Sequence, residues 1–127
     1  MIPLSVADYR LDPSPPAIDR VERALLGALL VEPRLRILVD LPPEAFRSPS
    51  RGQVWDVLRT MRHPDLPLLC LELERRGIPA PGSGWGTALA ELMESPLPFD
   101  EDVEEYVRAI KEAAVQRKFD GRRGRAK

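Results

Sequence analysis

The sequence predicts an all-α domain: a compact bundle of about six helices, the last one longer and ending in a disordered basic tail. Three observations predict it. Apolar residues recur at helical spacing in the sizeable segments, most plainly Ile18, Val21, Leu25, Ala28 and Leu29. No segment alternates apolar and polar residues with the period of a strand, and no internal repeat is present. The 14 prolines fall mostly between periodic segments, as punctuation rather than low complexity. With 127 residues and 43% apolar content the chain is long enough for one domain with a real core, and too short for two comfortable ones.

Residues 1–17 carry Pro3, Pro13, Pro15 and Pro16 with no apolar period and are expected to form an extended arm. The helical domain is expected over residues 18–119. Asp19 can cap its first helix, and Glu22 three residues on resembles a capping box; the helix then runs to about Val31. Leu25 and Leu29 are core candidates on a wide stripe. Gly27 lies inside it, where glycine costs about 1 kcal/mol relative to alanine, so a close approach of a neighbouring helix is expected there. Glu32-Pro33 restarts the chain for a short second helix with Leu35, Leu38 and Val39, ended by Pro42-Pro43. Phe46 follows as a further core candidate. Ser48-Pro49 is a cap and first turn for a third helix reaching about Arg62, its buried face Val54, Trp55, Leu58 and Met61.

The turn His63-Pro64-Asp65 leads to a fourth helix with Leu68, Leu69, Leu71 and Leu73, stopped by Gly77 after Arg75-Arg76; Leu69 and Leu73 are assigned to the core. Pro79 to Gly86 reads as a loop, and Thr87 to Glu94 as a short fifth helix with Leu89 and Leu92 in the core. Ser95-Pro96-Leu97-Pro98 breaks it. The last helix opens on Asp100, Glu101, Asp102, Glu104 and Glu105 and carries Lys111, Arg117 and Lys118 toward its end, the order the helix dipole favours. Its stripe is Val103, Tyr106, Val107, Ile110 and Ala114, with Ile110 in the core. From Asp120 the pattern fails, and residues 120–127 read as a basic tail or linker remnant.

Charge excludes some functions. The 19 basic and 20 acidic residues nearly cancel, so no global field recruits nucleic acid or an anionic membrane, and any such binding must be local. No apolar segment approaches the roughly 18 residues that span a bilayer, and the single cysteine, Cys70, cannot form an internal disulfide. A soluble cytoplasmic protein is expected.

The chemistry-bearing residues assemble into no catalytic pattern. Gly82 to Thr87 lacks the lysine and preceding strand of a phosphate cradle, and His63 has no partner at a spacing that would make a triad or metal site. Asp100 to Glu105 is explained by helix-start electrostatics rather than acid–base work. No catalytic residue, cofactor or metal is assigned. Arg122, Arg123, Arg125 and Lys127 can meet phosphates only weakly, without an aromatic to stack on bases. Trp55 falls on an apolar helical face. Trp85, between glycines, reads either as an anchor for a partner or as local packing.

Taken in order, these segments resemble the N-terminal domain of bacterial replicative DNA helicases of the DnaB type. The resemblance covers about Ile18 to Lys118. It rests on Glu22 to Leu30 (ERALLGALL) with Pro33 following, and on Glu44-Ala45-Phe46. Next come Ser50-Arg51 before Val54-Trp55, with serine where the family usually has histidine, and then Asp65, Leu68-Leu69, Glu72-Leu73 and Gly77. Ala88 to Leu92 and Glu104-Glu105-Tyr106 with Ile110 complete the order.

The resemblance implies a helical collar that supports ring assembly, receives primase and leaves ATP-driven unwinding to a separate motor domain. It therefore implies helicase subunits or primase as partners, with DNA met only indirectly. The family's last matched helix opens a hairpin whose second arm has no counterpart here, so a monomer or weak dimer is expected. Arg20 reverses a charge on a surface that in the family faces primase. Asp19, Arg20, Trp85 and Tyr106 are the candidate partner-binding residues. A free-standing adaptor or inhibitor of helicase or primase, and the helicase-binding domain of a primase, are the alternative readings.

Overall fold

A helix apolar all round its middle has to be enclosed there by its neighbours, and that requirement organises this molecule. In the computed structural model, which describes residues 17–82, 84–94 and 100–125, the first helix is α1 (Ala17–Val31). Five consecutive residues in its middle, Leu25 to Leu29, are all buried. After α1 come a 3-10 helix (Pro33–Leu38), a 3-10 turn (Pro43–Ala45), α2 (Pro49–Thr60), α3 (Leu66–Arg75), α4 (Trp85–Leu92) and α5 (Asp100–Arg125). The fold is all-α, and no strand occurs among the described residues. No described helix is long and apolar enough to cross a membrane. The predicted arm at residues 1–16, the proline break at 95–99 and the last two residues lie outside the described residues.

α1 packs against α2, α4, α5 and the first 3-10 helix. One core joins all of them, including Phe46, Trp55, Leu58, Leu69, Leu73, Leu89 and Ile110. Leu92, expected inside it, is half-buried at its edge. Gly27 meets the expected close approach. A Cβ there would be driven into the Leu92 carbonyl oxygen and lie 3.0 Å from its carbon, so α1 and the end of α4 touch backbone to backbone. Gly52, unremarked in the sequence, does the same on α2. Its Cβ would press on the Pro43 carbonyl, 3.3 Å from the carbon.

Several boundaries follow local chemistry. Ser48 accepts from the Arg51 N–H at 3.4 Å with Pro49 in the first turn of α2, and Asp65 caps α3 by accepting from the Leu68 N–H at 2.8 Å. Gly77, at φ 72°, closes α3: its N–H donates to Glu74 O at 3.0 Å, and Ile78 N–H donates to Leu73 O at 3.1 Å. Those two bonds are a Schellman stop.

Other boundaries differ from expectation. The predicted second helix is 3-10, with Leu35 N–H donating to Glu32 O at 3.0 Å, since six residues between proline-marked breaks are too few to sustain α-helical propagation. α4 starts at Trp85, two residues before the expected Thr87. α1 starts at Ala17, which removes Asp19 from the cap position and puts it in the first turn. α5 carries the backbone of the basic stretch onward as helix to Arg125, past the point where its apolar period ends.

Candidate functional site

A side-chain polar cluster joins α1 to the start of α2. Glu22 is fully buried, yet it lies on the apolar stripe, four residues after Ile18 and three before Leu25. Its carboxylate accepts from the Arg47 N–H at 2.5 Å and, at a longer 3.5 Å, from the Ser48 N–H. The Arg51 guanidinium donates to it at 2.7 Å. One turn earlier, Asp19 accepts from Arg51 at 2.5 Å and from Arg47 at 3.0 Å. Two carboxylates thus face two guanidiniums and the positive end of α2, and the buried charge is matched by charge and by backbone donors. The local sequence pattern of Asp19 and Glu22 is instead that of a helix cap. The available sign of their real role was one carboxylate alone on a buried stripe, which must find a partner elsewhere in the fold.

The four candidate partner-binding residues fall in different surroundings. Asp19 is only 16% exposed at its side chain and is committed to Arg47 and Arg51. Arg20, next to it, is exposed and faces outward beside Arg23 and Glu91. Trp85 is buried. It is 5% exposed, packs into the core from the first turn of α4, and its indole N–H donates to Ile78 O at 3.0 Å. An earlier helix start turns the ring inward, so local packing is the reading that holds. Tyr106 is half-buried against the core rather than displayed.

Arginine contacts that the sequence does not announce hold the loops. The Arg36 guanidinium donates to Leu58 O at 2.8 Å and Met61 O at 2.7 Å, so a residue of the first 3-10 helix satisfies the open carbonyl end of α2. Arg117 on α5 reaches Ala45 O at 2.9 Å. The Trp55 indole donates to Leu41 O at 2.8 Å inside the core.

What the fold leaves on the surface is apolar in places. α3 buries Leu69 and Leu73, the two residues assigned to the core, and exposes Leu68 (46%) and Leu71 (51%). Ile37 is 89% exposed, and Val115 and Phe119 lie exposed on α5 beyond its buried half. Between the end of α2 and α3 runs a groove of about 400 Å³ lined by Met61, Arg62, His63, Leu68, Leu71 and Arg75 among others. It adjoins a second hollow, of about 530 Å³, at the first 3-10 helix, with Met61 and Arg62 common to both.

His63 is exposed in the turn before α3, and among the described residues no three His, Cys, Asp or Glu side chains are grouped to hold a metal ion. Cys70 is half-buried; burial, and after it the neighbouring Glu74 carboxylate, push its thiol above the ordinary range. No family model matches the chain, and no curated protein matches it either.

Proposed function

We propose that this chain is a protein-interaction domain of DNA replication, akin to the collar of DnaB-type helicases, which binds helicase subunits or primase and has no motor activity of its own. The observation that carries the reading is the pairing of Glu22 with Arg51 at 2.7 Å. Both residues belong to the short segments on which the resemblance rests, and their contact gives a physical reason for finding that carboxylate and that guanidinium in those segments. Further support comes from the order of the segments. ERALLGALL is the enclosed α1, Ser50-Arg51 with Val54-Trp55 is α2, Asp65 through Gly77 is α3 with its cap and stop, and Ala88 to Leu92 belongs to α4. Exposed aliphatic side chains on α3 suit a domain whose work is contact.

The test is a binding titration of the purified chain against the replicative helicase and the primase of its source organism, with ATP turnover measured in parallel. A saturable complex with one of them and no turnover by the chain alone is the expected result. Hydrolysis by the chain alone, or no complex with either, overturns the reading. Light scattering of the isolated chain is expected to give a monomer or weak dimer, and a stable hexamer contradicts that.

A further inference from the structure

We infer that the groove between the end of α2 and α3 is a docking site for an acidic amphipathic helix of a partner protein. The inference stands apart from the replication reading, because the partner is defined here by its chemistry alone. Leu68 and Leu71 are spaced i, i+3 on α3 and are 46% and 51% exposed, a ridge of the kind that meets another helix. The half-buried Met61 lines the groove beside them. No strand edge exists among the described residues to take an extended peptide, so a helix laid in the groove is the mode that fits.

The charge at the rim selects the sign of the partner. Arg62, Arg75 and Arg76 line the groove with a single carboxylate, Glu72, among them. Glu72 already meets both Arg75, at 3.4 Å, and Arg76, at 3.3 Å, and Asp56 lies 3.8 Å from Arg76. Arg62 has no ion pair among the described residues. The rim is therefore positive on a chain whose formal net charge is −1, and glutamates flanking an apolar stripe complement it. A nucleic acid is the poorer occupant: the apolar surface is aliphatic, and no Phe, Tyr or Trp lines the groove to stack on a base. A two-fold contact with a second copy sets like-charged rims against each other.

The test is selection of a displayed library of roughly 20-residue helical peptides on the full chain. Counter-selection uses the Leu68→Ser/Leu71→Ser variant, whose changes are at exposed positions and whose folding is checked by circular dichroism. Enriched peptides are expected to carry apolar residues at i, i+3 and i+4 with Asp and Glu around them. They are expected to shift backbone amide resonances of residues 60–76. Binding should fall at least about tenfold in the double-serine variant and in Arg62→Glu, a loss of about 1.4 kcal/mol. The inference is overturned if enriched peptides are basic, if none is enriched, or if the shifts fall elsewhere. It is also overturned if a single-stranded oligonucleotide displaces the peptides from these residues, or if the double-serine change alters the oligomeric state of the free chain.

Discussion

Glu22 on α1 and Arg51 on α2, 29 residues apart in sequence, meet at 2.7 Å with the carboxylate wholly buried. A buried charge depends on its partner, because removing one member strands the other in a poorly solvating interior. Arg51→Ala is therefore expected to cost about 3–5 kcal/mol. Glu22→Gln, which keeps the shape and loses the charge, is expected to cost about 1–3 kcal/mol. Chemical denaturation of the single and double variants measures both. The double variant should lose less than the sum, and strict additivity would contradict a direct coupling.

The same substitution is expected to act with opposite sign at two glycines. Gly27→Ala gains up to about 1 kcal/mol of helix propensity. Its methyl, however, meets the Leu92 carbonyl, a backbone group with little room to yield. Overpacking of this kind costs about 1–3 kcal/mol, so a net loss of stability is expected. Gly86, within α4, has open space where its Cβ would go. Gly86→Ala should stabilise by about 0.4–1 kcal/mol. Thermal melts of the two variants decide the matter.

Arg36 serves the end of a helix to which it does not belong. Its guanidinium holds the carbonyls of Leu58 and Met61, and Arg36→Ala leaves both to be solvated anew. A loss of about 1.5–3 kcal/mol is expected, with Arg36→Lys intermediate because an ammonium lacks the planar fork. Hydrogen exchange should speed up first in the last turn of α2 and in the first 3-10 helix.

Cys70 is expected to react slowly. Burial and the Glu74 charge disfavour the thiolate, so alkylation at neutral pH should be slower than for a free cysteine thiol. Glu74→Gln should speed it. Because the folded state holds this proton more tightly than the unfolded chain does, the thiol's contribution to stability is complete below the ordinary thiol range. It is lost as pH rises above that range through the raised value. A pH series of alkylation rates on folded and denatured protein checks the direction.

Much of this molecule is legible in the sequence alone. The stripe of α1, the caps Ser48 and Asp65, the stop at Gly77 and the all-α class are local properties, set by side-chain periodicity, a side-chain oxygen near free N–H groups, and a residue that tolerates positive φ. Gly27 was legible as a question, since a glycine inside a buried helix needs a neighbour that comes close. Which neighbour, the carbonyl of Leu92, was decided by the path of the chain. The roles of Asp19 and Glu22 are hidden in the sequence for the same reason. A local cap and a tertiary ion pair use the same residues, and only the return of Arg47 and Arg51 across α1 chooses between them. Trp85 turned inward because α4 begins at the tryptophan itself. Leu68 and Leu71 carry the apolar signature of a core yet face solvent, because a helix on the rim of a small bundle has neighbours on one side only. Periodicity tells that a face is apolar, and the tertiary structure alone decides whether the molecule itself covers it.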